Sequence, residues 1–192
     1  MFRKSLLFLA LLAAGNANAA VIYSDDFNAD SIGLNTVPAG WSVSNGTVDI
    51  IGVGSSWNFF PAYGRYVDLD GSNNDAGLLF NEFDLIGGIS YSVSFELAGS
   101  QRGDSNSVKV SFGDSSAVYN LQSSDVFTTY LLSFTPIVSG TYQLSFDDAG
   151  GDNLGALLDN VNVNVSSVPL PAASWLFLTS LLGILGLRRK VS

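Results

Sequence analysis

Between residues 20 and 165 apolar and polar positions repeatedly trade places with a period of two. Tyr91, Val93, Phe95 and Leu97 alternate with Ser92, Ser94 and Glu96, and Val108, Val110 and Phe112 alternate with Lys109 and Ser111. The pattern returns in Tyr142, Leu144 and Phe146 around Gln143 and Ser145, and in Val161, Val163 and Val165 among Asn160, Asn162 and Asn164. Successive strand side chains point to opposite faces, so such runs predict strands with one buried face and one polar face. Further strands are predicted at Val21–Phe27, Thr47–Ile51, Arg65–Asp70, Gly77–Phe83, Ala117–Leu121 and Thr128–Phe134. Turn-forming clusters separate them: Gly71-Ser72-Asn73-Asn74, Ile86-Gly87-Gly88 and Gly113-Asp114-Ser115-Ser116. No segment before the C-terminal tail has helical spacing. The fold class expected is therefore all-β, an antiparallel jelly-roll β-sandwich over residues 20–165.

The two ends obey other rules. Met1-Phe2-Arg3-Lys4 is a short basic start, Leu6 to Ala14 is apolar, and Ala17-Asn18-Ala19 is a small-x-small cleavage pattern. That order predicts a signal peptide over residues 1–19, an N-terminal signal helix removed near Ala19. A permanent N-terminal anchor is the alternative, but so short a run does not span ~30 Å of hydrocarbon. The tail, residues 166–192, holds Val168-Pro169-Leu170-Pro171-Ala172-Ala173, an apolar stretch over 172–187 and the basic end Arg188-Arg189-Lys190. As a helix rising ~1.5 Å per residue the stretch is slightly short for a single transmembrane helix. The basic end would stay cytoplasmic, leaving the central domain on the far side of the membrane, as the signal peptide also demands.

Charge sharpens this division. All 17 acidic residues lie between Asp25 and Asp159, where the only cations are Arg65, Arg102 and Lys109. A domain so acidic repels phosphate, so nucleic acid is excluded as a partner. The chain has no His and no Cys, which removes His- and Cys-dependent nucleophiles and nearly all zinc chemistry. Carboxylate chemistry and oxygen-ligated metals remain.

Two resemblances attach to these residues. Val168-Pro169-Leu170-Pro171-Ala172-Ala173, Trp175-Leu176-Phe177, Leu181-Leu182-Gly183 and the terminal basic cluster resemble the PEP-CTERM sorting signal in its VPLPA form, with Leu170 where a Glu often stands. The resemblance implies an exosortase-like sorting enzyme as partner, in a Gram-negative bacterium that makes exopolysaccharide. It also implies an inner-membrane intermediate that passes to the cell surface or matrix; a permanent single-span anchor is the alternative. The strand order resembles galactose-binding-like and carbohydrate-binding-module sandwiches, which implies neighbouring first and last strands, often with a calcium between them. Tyr66-Val67-Asp68-Leu69-Asp70-Gly71, the run from Leu97 to Asp104, and Gly150-Gly151-Asp152-Asn153 leading into Leu158-Asp159-Asn160-Val161 are also similar to other PEP-CTERM proteins, and that similarity carries no activity.

Candidate chemistry falls in four places. By alternation Asp159 shares the core face with Leu157, Val161 and Val163, where a carboxylate is costly unless a cation or several donors satisfy it. One reading has Asp159 bind a structural calcium with Asp25 or Asp26; the other has a bulge turn it outward, or has its oxygens accept backbone N–H groups. Arg102 with Asp104, and Asp152 with Asn153, stand in loops dense in hydrogen-bonding groups suited to sugar hydroxyls, unless Arg102 merely pairs with Asp104 or Asp152. Among the aromatics from Trp57 to Tyr66, any exposed ring could stack on a sugar: Tyr63 is the one expected to be exposed, while Trp57 and Phe60 either do so or pack in the core. Asp68 and Asp70 are expected to point outward as solvated charge on a strand edge, a weak match to the carboxylate pair of a glycosidase. These features predict a non-catalytic, surface-directed module binding extracellular polysaccharide. A matrix or adhesion protein without a defined sugar ligand is the first alternative, and a carboxylate-dependent glycoside hydrolase or lyase the second.

Overall fold

The computed structural model describes residues 20–166. The signal peptide, the sorting motif at Val168–Pro171, the apolar stretch 172–187 and the basic end 188–190 lie outside the described residues.

Eleven strands fill the described chain: β1 (Ala20–Asp25), β2 (Ser42–Ser44), β3 (Asp49–Gly52), β4 (Arg65–Asp68), β5 (Leu78–Leu85), β6 (Tyr91–Ala98), β7 (Asn106–Phe112), β8 (Ser115–Leu121), β9 (Thr128–Phe134), β10 (Gly140–Asp148) and β11 (Leu157–Val165). They form two antiparallel sheets. One runs β3-β4-β11-β6-β9 with β1 also paired to β11, and the other runs β2-β5-β10-β7-β8. Each strand expected from alternation is present, with ends shifted by a few residues; β2 is the addition. The first and last strands are hydrogen-bonded neighbours, Ala20 opposite Val165 and Asp25 opposite Val161.

The alternation works as expected between the sheets. Val93, Phe95 and Leu97 of β6 and Val108, Val110 and Phe112 of β7 meet Leu144 and Phe146 of β10, all without solvent exposure. Each such side chain contributes roughly 1.5–3 kcal/mol by leaving water. Phe95 meets Phe146 edge-to-face with centroids 5.2 Å apart. Trp41 lies 6.0 Å from both Phe27 and Phe146, and its indole N–H donates to Asp25 at 2.8 Å, so the ring is buried without stranding its polar atom.

A second apolar layer covers the outer face of the six-stranded sheet. Ile51 of β3, Tyr66 of β4, Ala98 of β6 and Leu157 of β11 pack there under Phe59, Phe60, Tyr63 and Phe127. The face that alternation assigns to solvent is therefore roofed by the chain segment between β3 and β4. The Tyr66 hydroxyl anchors this roof by accepting the N–H groups of Phe59 at 2.7 Å and Phe60 at 3.2 Å.

The last strand departs from simple alternation. Its pairing with β6 shifts between Asp159 and Asn162, and Asn160 takes a left-handed φ of 50°. This is a β-bulge, in which an inserted residue reverses the parity of the rest of the strand. Leu158, Val161 and Val163 face the core, while Leu157 and Asp159 face the outer layer. The expectation that Asp159 shares the core face with Val161 is thus corrected. β11 also changes neighbour here, pairing with β4 through Leu157 and Leu158 and with β1 from Val161 onward.

Candidate functional site

Beside the roof, the outer face of the six-stranded sheet opens into a cleft of about 290 Å³, lined by Asp49, Ile51, Trp57, Asp68, Ser72, Arg102, Asp152, Asn153 and Leu154. Asp49 and Asp68 are cross-strand partners on β3 and β4, so two carboxylates face the same side. Such a pair repels unless each finds donors. Asp49 accepts the backbone N–H of Asn35 at 2.6 Å, and the N–H and hydroxyl of Ser72 at 3.1 and 2.5 Å. Asp68 takes the Arg102 guanidinium at 2.5 Å and the N–H of Asp70 at 3.2 Å. Burial pushes the Asp68 carboxyl up to about 8, with Arg102 pulling against that rise. Both carboxylates are almost wholly buried and their oxygens are already engaged.

Arg102 organises the neighbouring loops. Its Nη1 donates to the Asn153 carbonyl at 2.8 Å and its Nε to the Ser100 carbonyl at 3.1 Å, and its guanidinium lies 5.7 Å from the Phe59 ring centre. The loop between β10 and β11 is held from below as well. One oxygen of Asp70 accepts three consecutive N–H groups, from Gly151 at 2.6 Å, Asp152 at 2.9 Å and Asn153 at 3.0 Å. The loop can lie this close only because residue 155 is glycine: a Cβ there would collide with the Asp70 nitrogen. Asn153, with φ at 68°, clips the loop to Asn74 through its side-chain oxygen and nitrogen.

The structure thus gathers Arg102, Asp152 and Asn153 in one cleft. Asp104 lines an adjoining polar hollow with Gln101, Ser105, Gln122 and Ser123. Arg102 pairs with Asp68, not with Asp104 or Asp152. Tyr63 is not the exposed ring: it packs 4.4 Å from Phe127 and 6.0 Å from Phe60. Trp57, for which core packing and exposure were both open, is 40 % exposed at the cleft. Its position after Gly54-Ser55-Ser56 was the available signal for a loop residue. Asp68 and Asp70, expected as solvated edge charges, are both buried: Asp68 lies beneath Arg102 on the outer face, and Asp70, beyond the end of β4, is covered by the loop between β10 and β11.

The proposed metal residues lie where β11 changes partners. Burial pushes Asp159 up to about 7, and Glu96, Asp26 and Asp25 raise it further through like charge. Among the described residues its side-chain hydrogen bonds come only from the adjacent Asn160. Asp25 accepts from Phe27 N–H and Trp41, and Asp26 from Asn28 N–H. Among the described residues no group of three or more carboxylates converges on one point.

No family model and no curated protein matches the chain. Similarity is instead to solved structures. The CBM22-1 xylan-binding domain from Paenibacillus barcinonensis matches with a TM-score of 0.57 at 9% identity, over 80% of this chain and 99% of that one. The CBM22-1–GH10 modules of a Clostridium thermocellum endo-xylanase, solved with xylohexaose, match with a TM-score of 0.51 at 13% identity, over 79% of this chain. This chain spans only 29% of that two-module protein. The K3 cleaved adhesin domain of Lys-gingipain from Porphyromonas gingivalis matches with a TM-score of 0.51 at 17% identity, over 78% of this chain and 100% of that one. At these identities the likeness is one of fold, an all-β sandwich of two antiparallel sheets.

Proposed function

We propose that this chain is a non-catalytic module that binds polysaccharide through the Trp57–Arg102 cleft, and that it is exported and sorted to the cell surface or extracellular matrix. The observation that carries the reading is an exposed indole beside a tethered guanidinium, on a face otherwise closed by apolar packing. The indole offers a flat apolar surface for a pyranose ring, and Asp152 and Asn153 offer polar groups for hydroxyls at its rim. Loops on a jelly-roll scaffold hold such groups with little ordering on binding. Similarity to a xylan-binding domain and to a xylanase solved with a xylo-oligosaccharide supports a polysaccharide ligand. The signal-like start and the PEP-CTERM-like tail support the cell's own exopolysaccharide as its source, with an exosortase-like enzyme acting on the tail at the membrane. The engaged oxygens of Asp49 and Asp68 speak against hydrolysis, since neither is free to protonate a glycosidic oxygen or attack a sugar.

A structural calcium at the partner switch of β11 belongs to the same reading. Like charge from Glu96, Asp26 and Asp25 acts on the buried Asp159, and a divalent cation held by Asp159 with Asp25 or Asp26 would relieve that repulsion through oxygen donors, the kind calcium prefers.

The test is glycan binding by the full-length chain and by Trp57→Ala. Because Trp57 is part-exposed, the variant should melt within about 2 °C of the parent, as surface substitutions do. Its affinity for xylan or for the host's exopolysaccharide should fall about tenfold or more. Unchanged affinity would place the ligand elsewhere, and no binding to any glycan would favour the matrix or adhesion reading.

A further inference from the structure

A core-facing carboxylate, not found at Asp159, stands instead at the far end of β10. In that strand Leu144, Phe146 and Asp148 share one face, and the first two lie in the core. In the adjacent β7, Asn106, Val108 and Val110 share a face in the same way. Val108 is paired with Asp148, so the side chains of Asp148 and Asn106 enter the inter-sheet space at the same end of the sandwich. Both are at least nine-tenths buried. Asp70, fully buried, reaches that end from beyond β4.

The same loop binds all three side chains by one arm and leaves the other bare. Asp70 Oδ2 accepts the N–H groups of residues 151–153, Asp148 Oδ2 accepts the Ala156 N–H at 2.8 Å, and Asn106 Nδ2 donates to the Leu154 carbonyl at 2.8 Å. The remaining oxygens, Asp70 Oδ1, Asp148 Oδ1 and Asn106 Oδ1, are buried and have no hydrogen-bond donor among the described residues. Native proteins leave few buried acceptors unpaired, and each one signals a missing partner. Three acceptors beneath one loop, two of them on acidic side chains, call for a partner that is positive and accepts no hydrogen bond.

We propose that Asp70, Asn106 and Asp148 form a calcium site at the end of the sandwich, roofed by the loop of residues 149–156 and separate from the Asp25, Asp26 and Asp159 group. A divalent cation balances two carboxylates. The donors come from three distant chain segments, which suits the flexible shell of calcium better than the rigid octahedron of magnesium, and backbone carbonyls or water complete it. The site stands whether or not the cleft takes a sugar, although the loop it fixes forms the cleft wall at Asp152, Asn153 and Leu154.

The test uses the full-length chain in mild detergent, stripped with chelator and then dialysed against calcium, with bound metal counted by mass spectrometry. The parent, Asp148→Asn and Asp159→Asn are compared. Asp148→Asn should lose one calcium per chain that Asp159→Asn retains, and magnesium should not replace it. If Asp148→Asn binds as much calcium as the parent, or if Asp159→Asn alone removes all of it, the proposal is overturned. It is also overturned if Asp148 and Asp70 share a proton, which would appear as a fall in stability with rising pH that Asp148→Asn removes and added calcium does not. Should Asp148→Asn fail to fold, Asn106→Ala removes the third donor without touching charge and should weaken calcium binding at the same site.

Discussion

Replacing Arg102 with leucine isolates what the ion pair at the cleft contributes. The substitution keeps much of the apolar stem but removes the cationic partner of Asp68 and its bonds to the carbonyls of Asn153 and Ser100. Asp68 is 1 % exposed, so water cannot take the place of the guanidinium. Breaking a buried pair by removing one partner costs about 3–5 kcal/mol, which for a domain of this size lowers the melting temperature by roughly 6–20 °C. The loss depends on pH because the stranded carboxyl can take up a proton. With Arg102 gone, burial acts unopposed, and the folded-state value of Asp68 rises above about 8 from an ordinary 3.8. The folded chain then binds the proton more tightly than the unfolded one. Stability of the variant is therefore greatest at low pH and declines as pH rises from about 4 towards that raised value. Because Asp68 is already raised to about 8 in the parent, the two proteins lose stability together up to that pH and diverge only above it. Denaturant unfolding at about pH 6 and about pH 9.5 therefore measures both quantities: Arg102→Leu should be the more damaged at the higher pH, and adding Asp68→Asn should restore part of the loss there. A cost below about 1 kcal/mol at the higher pH, or one that does not grow above about pH 8, would refute the buried-pair argument and return Arg102 to the role of an exposed ligand contact.

Two further outcomes test other parts of the molecule. In chelator, the raised Asp159, at about 7 against 3.8, should make stability fall as pH climbs from about 4 to 7. Asp159→Asn should remove much of that decline, and calcium should offset it in the parent; superimposable melting curves in calcium and chelator would sink the Asp159 reading. Mass spectrometry of the protein recovered from a host with the sorting machinery should find a start near Ala20 and an end near Val168–Pro171, and full-length membrane-bound chain alone would refute processing.

How far the sequence was legible depended on what covers each strand face. Period-two runs located every long strand, because one face of each is packed against the other sheet. β2 escaped because three residues between Trp41 and Asn45 are too few to show a period. Asp68 and Asp70 defeat parity for different reasons: Asp68 points outward but is covered by the Arg102 loop, and Asp70 stands past the end of β4, where alternation no longer applies. Asp159 was misplaced by one inserted residue, since a bulge at Asn160 reverses every later assignment. The Asp68–Arg102 pair joins residues 34 apart and the Asp70 anchor joins residues over 80 apart. Local patterning carries no trace of contacts made across loops. Tyr63 was misplaced and Trp57 left open because loop residues have no parity at all.

The placement of β11 has a consequence for how the chain acquires its fold. This last strand is the shared spine of the six-stranded sheet, bonded to β6 on one side and to β4 and then β1 on the other. Until residues 157–165 arrive, β1 has no partner and β4 and β6 each keep an open edge. A chain cut before residue 157 is therefore left with three exposed strand edges, a template for pairing with other copies. Because Ala20 pairs with Val165, assembly joins the two extremes of the domain, a contact order associated with slow folding. Completion of the sheet thus waits on the nine residues of β11, and a nick in the 149–156 loop threatens the whole sheet, not only the cleft it borders.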